Sequence, residues 1–64
     1  MTPDEERWGE ALAVERQHGD QAPVHVAECI GALALQGDLA GIARWKHIAA
    51  CLDVLVQARE RSRQ

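Results

Sequence analysis

Apolar residues recur at helical spacing in three blocks of this chain, and the breaks between the blocks contain glycine. In the first block, Asp4, Trp8, Ala11, Leu12, Glu15 and His18 share one face at 100° per residue. Thr2 can cap the free amide of Glu5 while the Glu5 carboxylate reaches back, and Pro3 suits the first helical position. The acids at 4, 5 and 6 favour the positive end of the helix dipole, and Gly19 offers a left-handed stop. The pattern predicts a helix at about residues 3–18.

After a short connection at residues 20–22, Pro23 can open a second helix that runs to about Gln36, with Gly37 as its stop. Its apolar stripe is broad: Val24, Val26, Ala27, Ile30, Gly31, Leu33, Ala34 and Leu35. That breadth predicts the most enclosed of the three helices, with the first the weakest in apolar content. Asp38 caps a third helix, about residues 39–59, whose core stripe reads Ile42, Trp45, Ile48, Ala49, Leu52, Leu55 and Val56. Residues 60–64 lack an apolar period and are expected to fray.

The expected fold is all-α, a single domain over residues 1–64: a three-helix bundle whose short connections make neighbouring helices antiparallel. Counted outward from Gly37-Asp38, Pro23 is level with about Leu52, so the third helix, about 31 Å long, outruns the second by nearly two turns. Val54, Leu55, Val56 and Ala58 would then lack internal cover, and they are the expected partner-binding residues.

Size and charge sharpen this picture. A chain of 64 residues buries a small core, and its only aromatics are Trp8 and Trp45, so self-association or a bound metal would help it. The net charge of −3 argues against a surface built for phosphate backbones. Residues 1–38 hold eight acids and two bases, a balance of −6, whereas residues 39–64 hold two acids and five bases, a balance of +3. The halves are expected to attract each other within the bundle.

Two cysteines inside helical segments, with no charged leader and apolar run ahead of the domain, point to a cytoplasmic chain with reduced thiols. No apolar stretch approaches the ~20 residues needed to span a bilayer, so no membrane role is expected.

The most specific chemical pattern is a repeated pair, His25 with Cys29 and His47 with Cys51, each four residues apart. In an antiparallel hairpin Cys29 is level with His47 and His25 with Cys51, and two His with two Cys form a legitimate zinc set. Against zinc, the tight two-thiolate knuckle of common zinc modules is missing, and buried Cys often serves as a small hydrophobe. A Cys29–Cys51 disulfide is disfavoured by an axial stagger of some 7 Å.

Glu15 and His18 share a face and could form an acid-base pair, although capping or a salt bridge with Arg44 or Arg16 is the plainer role. No nucleophile stands beside a base and no Gly-rich phosphate loop occurs, so the chain is not expected to be an enzyme or to carry a cofactor. Helix 2, Gly37-Asp38 and helix 3 could imitate a helix-turn-helix with Arg44, Lys46 and His47 on the reading helix. A net-acidic domain lacks the phosphate contacts such a helix needs, so nucleic acid is disfavoured.

Thr2-Pro3-Asp4-Glu5-Glu6-Arg7-Trp8, Glu15-Arg16-Gln17-His18-Gly19, Ile30-Gly31-Ala32-Leu33, and Gly37-Asp38 ahead of Trp45 span nearly the whole chain. In these segments the sequence resembles a family of short uncharacterised alphaproteobacterial proteins with no assigned activity. The resemblance implies a freestanding small protein and carries no functional residues across. The residues themselves lead to a non-enzymatic interaction module, a homodimer or a binder of a partner helix, with a zinc domain and a nucleic-acid adaptor as alternatives.

Overall fold

The computed structural model describes residues 2–62, and they are all-α. Helix α1 spans Pro3–His18, α2 spans Ala22–Gln36 and α3 spans Leu39–Ser62. Thr2 caps α1 as its position predicts, its hydroxyl oxygen accepting from the Glu5 amide at 3.2 Å. No bond from the Glu5 carboxylate back to the cap is present among the described residues.

Gly19 does take a positive φ, 56°, but the chain does not leave the helical path there. A single 3-10 turn, Gly19–Gln21, replaces the expected loop, and α2 begins one residue before Pro23. The second break is sharper. Gly37 sits at φ 72°, its amide donating to the Ala34 carbonyl at 3.1 Å, while the Asp38 amide donates to the Leu33 carbonyl at 3.0 Å. This pair of bonds satisfies the end of α2 in a Schellman motif. Asp38 then caps α3, accepting from the Gly41 amide at 2.9 Å. The described chain thus forms two helical stretches packed together: residues 3–36, bent at 19–21, and α3.

The arrangement corrects the expected three-helix bundle: α1 does not pack back antiparallel along α2 but runs into it through the bend at 19–21, so the packing is that of the 3–36 stretch on α3. Helices α1 and α2 each pack extensively on α3 but touch each other little. The enclosed element is therefore α3, not α2: Ile48, Cys51 and Leu52 are buried in it, and Ile48 is the one large side chain fully shielded from water. The core closes with Ala11 and Val14 of α1 and Ala22 and Val26 of α2, and Trp8, Ile30, Trp45, Ala49, Leu55 and Val56 pack around it half-buried. Two expected stripe members, Val24 and Leu35, are instead exposed, Leu35 by 92%.

Two ion pairs and one histidine contact join the acidic and basic halves at the surface. Glu10 of α1 takes Arg44 at 2.7 Å, Asp4 meets His47 at 3.2 Å, and Asp20 meets Arg59 at 3.4 Å. The first two contacts run in opposite senses along α1 and α3, and Asp20 lies in the turn that follows α1. Helix α3 also runs further than expected. Residues 60–62 form its last turn, where the Ser62 hydroxyl donates to the Ala58 carbonyl at 3.0 Å, while Arg63 and Gln64 of the expected tail lie outside the described residues. The molecule measures 42 × 27 × 16 Å, and its shortest dimension accommodates about two layers of helix.

Candidate interaction face

The alternative zinc set, His25, Cys29, His47 and Cys51, is not brought together among the described residues. His25 Nε2 and Cys29 Sγ do meet, at 3.5 Å, because four residues is about one turn of α2. Their counterparts on α3 turn elsewhere, since α1 takes that side: His47 binds Asp4, and Cys51 is buried. Burial pushes the Cys51 thiol above its ordinary value of 9.0, the Asp4 charge adds to the rise, and Arg7 opposes it. Among the described residues no group of three or more His, Cys, Asp or Glu is placed to hold a metal ion. Both thiols are free.

Glu15 and His18 do not pair either. One Glu15 carboxylate oxygen is buried without a hydrogen-bond partner, and Arg44, offered as its ion-pair partner, binds Glu10 instead. The His18 ring stacks on His25 with centroids 3.8 Å apart and 16° between planes, and His25 in turn stands edge-on to Trp45. These aromatic contacts tie the start of α2 to the end of α1 and to α3. They fill space, and no spacing rule along the chain predicts contacts across the bend.

Two of the three cations expected on a nucleic-acid reading helix, Arg44 and His47, face carboxylates of α1. At the far end of α3, Leu55 and Val56 are half-buried against the core, while Val54 and Ala58 are exposed. The overhang is partly covered because the Gly19–Gln21 turn reaches it: Gly19, Asp20 and Pro23 line a shallow pocket with Val56, Arg59 and Glu60.

A different surface lacks cover. Arg44, His47 and Cys51, the α3 residues toward α1, fall within an arc of about 60° at 100° per residue. Lys46 and Asp53, seven residues apart, project within about 20° of each other and roughly 140° round the helix from that arc. On this side α2 and α3 leave an apolar groove of ≈ 150 Å³ lined by Pro23, Val26, Ala49, Leu52, Asp53 and Val56. Leu39, 79% exposed, lies on the same side of α3, and Ala50 is exposed beside Lys46. One helix therefore covers one face of the α2–α3 hairpin, and the opposite face is open.

Helix α3 carries a second seam that the core stripe hides. Leu39, Ile42, Lys46, Ala49, Asp53 and Val56 repeat at alternating spacings of three and four, as in a heptad. Two charged members interrupt it, which is why counting apolar residues alone passes over it. Lys46 and Asp53 have no ion-pair partner among the described residues, and Asp53 accepts the Gln57 side-chain amide at 3.0 Å.

The chain belongs to a family of unknown function, DUF6961, whose profile matches residues 3–60. No curated protein and no solved structure matches it. Among the described residues no helix is long and apolar enough to cross a membrane.

Proposed function

We propose that this protein is a small non-enzymatic interaction module, in which α1 braces one face of the α2–α3 hairpin and the opposite face receives a protein partner. The observation that carries this reading is the apolar groove between Pro23, Val26, Ala49 and Val56, beside a stripe of α3 whose charges are Lys46, Asp53 and, past Val56, Glu60. An apolar groove with charge at its rim can take apolar side chains of a partner. A partner helix lying along the open side of α3 could place its side chains at the edge of this groove. The two free thiols accord with a reducing cytoplasm.

The test uses an apolar fluorescent dye and sedimentation on the intact protein. Dilute protein should bind the dye or associate, and Ala49→Lys at the lip of the groove should abolish whichever occurs while Leu12→Lys on α1 leaves it intact. Neither dye binding nor association would overturn the reading. Loss with Val54→Lys but not with Ala49→Lys would move the working surface to the end of α3, at Val54, Leu55, Val56 and Ala58, and would overturn this face.

A further inference from the structure

We infer that the occupant of the open face is a second copy of this chain, with α3 packed antiparallel on α3 of its partner about a two-fold axis at Ala49 and Ala50. The inference rests on the proposed interaction face and adds the identity of what covers it.

Charge geometry is the first argument. An interface with two-fold symmetry brings residue i of one copy to residue j of the other and j to i. Antiparallel helices crossing at the midpoint between Ala49 and Ala50 place Lys46 of each copy level with Asp53 of the other, since the two are equally far from that midpoint. Both project from one stripe of α3, and neither has an ion-pair partner among the described residues. Between Ile42 and Val56 the charges of this stripe are thus of opposite sign and symmetrically placed, so that stretch is complementary to its own image, while Glu60, one turn further on, falls level with Leu39 of the other copy at the end of the contact. At the axis itself stand two alanines, small enough to let helix axes approach closely.

Economy of the core is the second argument. Among the described residues seven form the buried core, and Ile48 is its one large, fully shielded side chain. A chain this short gains much from apolar area buried between copies. Stacking the open face of one hairpin on that of another would give α3 a covering layer on the side α1 leaves bare.

The decisive experiment is a charge exchange followed by sedimentation equilibrium, with circular dichroism to verify that each variant is folded. Wild-type protein should dimerise between micromolar and millimolar concentration. Lys46→Asp and Asp53→Lys should each weaken self-association about tenfold or more, because both symmetric pairs then carry like charges. Mixing the two single variants should restore association as a one-to-one heterodimer, in which both pairs are again opposite in sign. The double variant should dimerise by itself.

A wild-type monomer at every concentration overturns the inference. If such a monomer still binds the dye in a manner sensitive to Ala49→Lys, the interaction face stands and only the second copy falls. Dimerisation indifferent to either single charge reversal, or a mixture that fails to recover, also overturns this arrangement.

Discussion

Ile48→Ala tests the assignment of α3 as the enclosed helix. Ile48 is 0% exposed, and truncation to Ala removes three carbons. At about 0.8 kcal/mol per buried methylene the transfer loss is about 2.4 kcal/mol, and the residual cavity brings the expected cost to about 3–4 kcal/mol. A domain of this length holds roughly 3–10 kcal/mol in total, so the variant should lose a large share of its stability, a Tm fall of well over 10 °C at about 4–8 °C per kcal/mol. Leu35→Ala is the matched control. It too removes three carbons from an apolar position of a helical stripe, but Leu35 is 92% exposed and the loss should stay within about 0.5 kcal/mol. Urea unfolding followed by far-ultraviolet circular dichroism, on protein dilute enough to be monomeric, measures both. Equal losses would refute the reasoning by showing α2 to be as enclosed as α3, and a loss below about 1 kcal/mol for Ile48→Ala would show that the core does not close around it.

Glycine substitutions should separate open positions from crowded ones. A Cβ on Gly9 meets nothing within 4 Å, so Gly9→Ala should stabilise α1 by about 1 kcal/mol, whereas a Cβ on Gly41 would lie 2.7 Å from Asp38 Oδ2 and 3.1 Å from Leu33 Cδ2. Gly41→Ala should therefore displace the cap and show no gain in Tm, but should recover a gain in an Asp38→Ala background; the same Tm rise at both glycines would contradict this. The thiols should differ as well: a disulfide reagent should modify half-buried Cys29 in the native state and Cys51, 4% exposed, only upon opening. Because folding raises the Cys51 value, the unfolded chain releases that proton first as pH climbs past 9.0, so stability is intact below that pH and falls above it. Urea midpoints against pH should flatten in Cys51→Ala, and an unchanged slope would exclude Cys51 as the source.

What the sequence made legible was what local chemistry decides. Thr2 at the start of α1, the glycine and aspartate between α2 and α3, and the inward line of Trp45, Ile48, Leu52 and Leu55 each depend on residues within about one or two turns of each other. Spacing also foretold the His25–Cys29 contact for the same reason. The failures all involve the position of α1. Which helix is central depends on where α1 packs, and the breadth of the α2 stripe misled because Val24 and Leu35 face solvent, while Ala27, Gly31 and Ala34 add apolar count with little volume to bury. Gly19 looked like a stop, yet its positive φ produced a bend, because Gly19–Gln21 continued as a helical turn into α2.

The position of α1 also decides which features of α3 are structural and which are left for function. By pairing Asp4 and Glu10 with His47 and Arg44, α1 occupies two of the three basic residues of the nucleic-acid reading and holds the His47–Cys51 edge on its own side of α3. The same placement leaves Lys46 and Asp53 on the opposite side with no carboxylate or cation of α1 beside them. A polar pair set into an otherwise apolar seam weakens nonspecific association and rewards one register, which is how buried or flanking charges select partners in helical assemblies. On this reasoning neutralising both at once, Lys46→Ala with Asp53→Ala, should leave association intact or stronger while loosening its register. A cysteine at the proposed axis, Ala50→Cys in a Cys29→Ala background, would report this: its disulfide-linked dimer should form readily with the charges present and less selectively, relative to Ala58→Cys, once they are removed. Equal crosslinking at both sites with the charges in place would mean that Lys46 and Asp53 do not set the register.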